Sequence, residues 1–383
     1  MILSSLCTIL VVAAGAVNAL TVGGAVTFAA KGTYPRATRL SDGSLLGAVS
    51  YVDGTNQVIS AVISRNNGTS WATQGEVTRA PSDLSNQYIQ QLPSGMDDLD
   101  PLVKHCVVLI PKLTAGRVLI AFRNHDKNSA GAITYFRITI CYSDNLGVTW
   151  NYLSQPASDP AGVNGNWEPL LRLSNSGVLQ LYYSRETAGN DQDSLLRTST
   201  DGGLTWSLSQ IISGANVTAR DGMIGVANYG GRSLLAVFET TVNGRFQVWS
   251  VTRFAPIITH SMPSVHGTYI FFSADDGTTW GNRRLVYAPS AANSNAGAPQ
   301  VVFVGSTLVA SFMTDEDSAN GVWPAGAAMK VVTSTNGGAS WGSKTTLFTN
   351  SPNSYWPGLL TLDGVSFLAL ADQAGPKVKR VTL

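Results

Sequence analysis

Short apolar runs broken by Gly-bearing turns recur along the chain, the pattern of strands in meanders. Six times two such runs flank a turn, at 34–50, 100–123, 167–185, 220–238, 298–313 and 356–371. The turns are Ser41-Asp42-Gly43, Ala115-Gly116, Asn175-Ser176-Gly177, Gly230-Gly231, Gly305-Ser306 and Asp363-Gly364. Pro35, Pro101, Pro169, Pro299 and Pro357 stand near the start of the first run, with Gly222 in the fourth copy, and Pro suits the first residue of a strand.

A second, tighter pattern of eight residues occurs five times: SRNNGTSW (64–71), SDNLGVTW (143–150), STDGGLTW (199–206), SADDGTTW (273–280) and STNGGASW (334–341). The third-position Asn or Asp can cap backbone N–H groups of a turn. The fifth-position Gly accepts positive φ, and the Trp packs on neighbouring sheet. The unit is therefore strand A, Gly turn, strand B, connection, strand C, eight-residue turn, strand D. Six units predict an all-β, six-bladed β-propeller with four-stranded antiparallel blades. The sixth unit ends at Leu383 without its own eight-residue turn, so the alternating stretch 21–29 is expected to supply its fourth strand and close the ring.

The chain has 383 residues, 44% hydrophobic, with net charge +1, which supplies no basic surface for nucleic acid. Residues 1–19 read as a secretory signal with a Val17-Asn18-Ala19 cleavage site, leaving 20–383 as one propeller domain. Two sequons, at Asn67 and Asn216, agree with a secreted, extracellular protein, and no later run is long enough to span a membrane. Cys106 and Cys141 are expected on strands A and C of one blade, too far apart for a disulfide, hence as two buried thiols. Nothing demands more than a monomer.

In a four-stranded meander all Gly turns and eight-residue turns share one face. Their acidic residues, such as Asp42, Asp201, Asp275, Asp276 and Asp363, are turn formers. The opposite face gathers A-strand starts and B-strand ends around the axis. There the sequence places Arg36, Asp100, Glu168, Arg220, Asp221, Arg123 and Glu186, together with Trp167, Trp323, Tyr355 and Trp356. Acids, guanidinium groups and flat aromatic faces suit a sugar. Glycoside hydrolysis needs two carboxyl groups across the scissile bond. The best pair is Glu168, in Asn166-Trp167-Glu168-Pro169, and Glu239, in Val237-Phe238-Glu239-Thr240, with Glu186 and then Asp100 in reserve. The apolar run before Glu239 suits a carboxyl kept protonated by desolvation. The alternative for both is ion pairing with Arg185 or Arg220. Four His residues show no metal-ligand spacing and no phosphate-cradling loop is present, so neither metal nor cofactor is expected. Loops 78–99 and 255–267 are the longest on this face.

The eight-residue turn resembles the Asp-box of sialidase-like propellers. Tyr34-Pro35-Arg36 resembles the blade-one arginine motif of sialidases, which grip a carboxylate with three arginines. Arg36 and Arg220 match two, and Asn295-Ala296-Gly297-Ala298-Pro299 offers no third. Trp167-Glu168-Pro169 and Phe238-Glu239-Thr240 are similar to the catalytic segments of the fungal exo-arabinanases, glycoside hydrolase family 93. That resemblance implies retaining cleavage of α-1,5-linked arabinan from the non-reducing end with release of arabinobiose, Glu168 as nucleophile and Glu239 as acid/base. Two other readings stand beside it: another exo-glycosidase such as a sialidase, and a non-catalytic carbohydrate-binding propeller.

Overall fold

In the computed structural model the described residues are 19–93, 116–162, 165–253, 258–259, 270–271, 276–277, 279–318 and 323–383. They form six four-stranded antiparallel blades and contain no helix. Blade one is Thr33–Arg39, Leu45–Asp53, Asn56–Ser64 and Ala72–Ala80. Blade two is Asp83–Gln91, Val118–Lys127, Ile133–Ser143 and Asn151–Pro160. Blade three is Gly165–Leu173, Leu179–Ala188, Asp191–Ser199 and Gln210–Ser213. Blade four is Gly222–Asn228, Leu234–Thr240, Gln247–Arg253 and Gly281–Tyr287, with a small hairpin, Ile258–Thr259 and Ile270–Phe271, between its last two strands. Blade five is Ala296–Val304, Thr307–Thr314, Ala328–Ser334 and Gly342–Phe348. Blade six is Tyr355–Thr361, Ser366–Asp372 and Pro376–Thr382, completed as expected from the N-terminal side by Thr21–Val22 and Val26–Thr27. The four strands of a blade are called A to D, A innermost. The six A strands contact one another in cyclic order, blade six against blade one, so the ring closes.

Strand A of blade two corrects the sequence reading. It runs Asp83–Gln91, not from Asp100, so most of the expected loop 78–99 is strand. Leu92 N donates to Arg117 O and Gly116 N to Pro93 O, closing the ladder below a long A–B connection. Asp100, Pro101 and Cys106 lie in that connection, outside the described residues. Gln87, not a proline, occupies this strand where four of the other blades carry Pro, which hid it from the repeat. Cys141 is on strand C, buried and free.

Apolar packing is divided among the blade interfaces. Leu46 and Ile59 meet Ile89 and Phe122 between blades one and two. Tyr182 meets Phe238 between three and four, and Phe28 of the N-terminal segment packs with Leu45, Leu368 and Leu370 between six and one. Strand B is flanked by a blade on each side, so Leu234–Thr240 is buried throughout.

The eight-residue turns pack blades one to five each against the blade before. In the first, second, third and fifth copies the Ser hydroxyl accepts the fifth-position Gly N–H at 2.8–2.9 Å. The third-position Oδ1 accepts the seventh-residue N–H at 2.9–3.0 Å. Gly147 sits at φ +87° with Leu46 of blade one directly against it. Gly75, on strand D of blade one, lies under the same turn: a Cβ there would stand 2.5 Å from both Gly147 O and Val148 O. Backbone carbonyls of a hydrogen-bonded turn do not yield. Gly75→Ala should therefore lower unfolding free energy by roughly 1–3 kcal/mol. Gly342→Ala, on strand D of blade five with nothing within 4 Å of its Cβ, should stay near wild type. Equal midpoints in urea would refute the interlock.

Candidate active site

Every inner strand carries the same irregularity. Between Thr33 and Arg36, Ser85 and Tyr88, Trp167 and Leu170, Gly222 and Gly225, Gly297 and Gln300, and Tyr355 and Gly358, strand A advances one residue more than strand B. Each β-bulge holds one non-glycine residue in the left-handed region: Tyr34, Asn86, Glu168, Met223, Ala298 and Trp356, at φ 45–55°. A bulge re-aims its side chain, and such a backbone costs about 1–3 kcal/mol where surrounding structure imposes it. Pro35, Pro169, Pro299 and Pro357 follow four of these residues. They lie inside the strand, not at its first residue, because a bulge leaves an N–H without a ladder partner and Pro has none to leave.

The bulges aim at the axis. Tyr34, Met223 and Ala298 share one apolar cluster with Trp323, Tyr355 and Trp356, residues of four blades that can meet only there. Glu168 is the carboxyl member of the ring. It is partly exposed, yet its Oε2 is enclosed and has no hydrogen-bond partner. Burial, and then the charge of Glu239, push it up to about 8; Arg123, the Ser184 hydroxyl and Arg220 act in the opposite direction. Ser184 Oγ is itself held by Met223 N at 2.9 Å.

Glu239 ends strand B of blade four, paired with Gly222 and 9% exposed. Its Oε2 accepts the Ala298 N–H at 2.7 Å. Gly297 makes this approach possible, since a Cβ there would lie 2.5 Å from that oxygen. Burial raises Glu239, as expected from the apolar run before it, while the Ala298 amide and Arg220 favour its charged form. The Ala298 amide thus serves Glu239, while the enclosed oxygen of Glu168 has no donor.

Several other candidates join this pair. Trp167 Nε1 donates to Glu186 Oε2 at 3.0 Å, and Glu186 Oε1 pairs with Arg220 at 2.6 Å. Arg123 lies over the Trp167 ring at 5.1 Å and donates to Asp83 Oδ1 at 2.9 Å. Trp356 stands 5.8 Å from Tyr34 and 6.4 Å from Tyr355, whose hydroxyl accepts from Asn353 at 2.7 Å. Trp323 stacks on Phe246 at 6.0 Å beside Glu239.

Two candidates belong elsewhere. Asp221 is 0% exposed and saturated by Arg283 and Ser213, an anchor between blades three and four with no reach to the cleft. Arg36 is 4% exposed beneath the floor, its guanidinium 4.0 Å over Tyr34 and donating to Pro35 O and Trp356 O at 2.9 and 3.0 Å. With Arg36 buried and Arg220 tied to Glu186, these two do not present a carboxylate clamp. Sequence reasoning missed Asn86, Met223, Ser184, Gly297 and Phe246; of these only the bulge neighbours had a signal, the X-Pro pairs of their equivalents. A cavity of about 560 Å³ between blades three and four lies on the turn face, lined by Ser174, Gln180 and Asp276, away from both glutamates. Among the described residues no group of three or more His, Cys, Asp or Glu is placed to hold a metal.

No family model and no curated protein matches the sequence. Solved structures do. The glycoside hydrolase family 93 α-L-arabinofuranosidase of Fusarium graminearum, in complex with arabinobiose, is 18% identical, with 95% of this chain and 98% of that chain covered and a TM-score of 0.65. The Penicillium chrysogenum α-L-arabinanase, also with arabinobiose, is 17% identical over 94% and 98%, TM-score 0.65. The NanB sialidase of Streptococcus pneumoniae is 10% identical over 93% and 70%, TM-score 0.54. At these identities the likeness is one of fold.

The raised Glu168 makes a stability prediction. A carboxyl at about 8 in the folded chain and near 4.5 unfolded weakens the fold as pH rises between those values. Glu168→Gln removes that loss. Its unfolding free energy minus that of wild type should be constant below about pH 4.5, climb by up to about 1.4 kcal/mol per pH unit, and level off above 8. Urea unfolding at pH 4, 6, 7 and 9 checks it; a flat difference would refute the buried proton.

Proposed function

We propose that this protein is an exo-acting glycoside hydrolase that cleaves α-1,5-linked arabinan from the non-reducing end and releases arabinobiose. The observation that carries the reading is the pair of desolvated carboxyl groups, Glu168 and Glu239, beside an aromatic floor. This is the equipment of two-carboxyl glycoside hydrolysis. The likeness in fold to two arabinobiose-holding structures supports the choice of sugar.

In this reading Glu168 gives its proton to the leaving glycosidic oxygen as the C1–O bond breaks, and the Glu239 carboxylate forms a bond to C1. Water then attacks C1, its proton passes to Glu168, and Glu239 departs as carboxylate. This division, the converse of the one the family resemblance implies, follows the Ala298 amide, whose hydrogen bond favours the charged form of Glu239. Trp323 and Trp356 offer faces for the sugar rings, and Trp167 carries its face against Arg123.

Linear arabinan should yield arabinobiose, and sialyl-lactose should yield no sialic acid. Glu168→Ala and Glu239→Ala should each lose about 10²–10⁴-fold on arabinan. On an aryl arabinobioside with a low-pKa phenol, which needs no proton, Glu168→Ala should recover bond breaking and Glu239→Ala should not. The opposite pattern would reverse the roles. Arabinan bound without turnover would instead identify a carbohydrate-binding propeller.

A further inference from the structure

Arg220 occupies a position shared by the two glutamates. It begins the approach to strand A of blade four, where its N–H donates to Thr241 Oγ1 at 3.0 Å, two residues beyond Glu239. A bridge to Gln192 fixes its backbone on blade three. Its guanidinium is held from the blade-three side, by Glu186 at 2.6 Å and by Gly189 O at 3.1 Å. Glu186 is paired in register with Gly165 and holds Trp167, the residue before Glu168. Gly165 leaves room for this contact, since a Cβ there would press on Trp167 Nε1 and stand 2.9 Å from Glu186 Oε2. One ion pair thus spans the gap between the blade that carries Glu168 and the blade that carries Glu239.

We propose that the Glu186–Arg220 pair is a positioning device that sets the charge balance of both glutamates together, Glu186 neutralising and tethering the cation that, among the described residues, faces both. Arg220 favours the ionised form of Glu168 and of Glu239 alike. The other groups facing the pair act on one member. Arg123, paired with Asp83, faces Glu168 from blade two, and Tyr34 and Arg36 face it from blade one. Arg185, Asp191 and Asp193 lie on strands B and C of blade three, Asp193 pushed up to about 6 by burial and the neighbouring acids. Asp221 is consumed by Arg283. The inference rests on Glu168 and Glu239 being the working pair, but not on the sugar they act on.

The test reads the carboxyl groups directly. In protein labelled with 13Cδ-glutamate, Glu168→Gln and Glu239→Gln assign the two resonances, which are then titrated by NMR. Glu186→Gln leaves an uncancelled cation and should lower both midpoints, by about one pH unit. Arg220→Met leaves an uncancelled anion and should raise both by a similar amount. The double variant, neutral as a pair, should return both towards wild type, and Arg220→Lys should fall between. Midpoints that stay put, move singly, or move in the same direction in both single variants would overturn the proposal. If Glu186→Gln fails to fold, Arg220→Met against Arg220→Lys decides on the same criterion. Joint shifts in a protein that releases no arabinobiose would uphold the device and sink the arabinan reading.

Discussion

A residue held at φ near +50° in the innermost strand of every blade is the constraint on which the site depends. A regular strand points successive side chains to opposite faces of its own blade, where they pack between neighbouring blades. The extra residue of the bulge breaks that alternation once per blade and turns one side chain towards the axis. Six such residues form the floor. The position bears Tyr, Asn, Glu, Met, Ala and Trp in turn, so one geometry repeated six times presents six different chemistries.

The charges at the axis follow from that crowding. A carboxyl aimed into an apolar floor loses water on most sides, so its neutral form is favoured. Burial raises both carboxyls there, and their backbone partners differ. Glu239 has the Ala298 amide and a glycine that lets it approach. Glu168 has an enclosed oxygen without a donor. The buried Arg36 stands below, bonded to carbonyls and stacked on Tyr34, and so serves the floor, not the cleft. The acids that looked equivalent along the chain have become unlike: Glu168 partly exposed, Glu186 tied to an arginine, Asp221 sealed between blades.

Much of this was legible in the sequence because repeats are local. In the four fully described copies the eight-residue turn satisfies itself through hydrogen bonds between its own residues, and its glycine is needed whatever surrounds it. Copy number and spacing therefore determined an all-β chain of six blades, the side on which the turns lie, and closure of the last blade by the N-terminal strand. They also put Glu168 and Glu239 on the opposite side. Where the repeat lost its marker, the reading slipped: strand A of blade two bears Gln87 in place of Pro, and its start was placed at Asp100 instead of Asp83.

What only the tertiary structure decided is which polar side chains share a space. Being near the start of an A strand put Arg36, Glu168, Arg220 and Asp221 in one class. A single step along the strand moves a side chain between the axis, the inter-blade seam and the rim, and the bulge changes the count. Arg36 therefore went under the floor, Asp221 into the seam with Arg283, and Glu168 to the axis. The sequence determined the ring and its two faces through contacts within each repeat; the partners of each charge depended on blades distant along the chain, and only the closed ring brings those together.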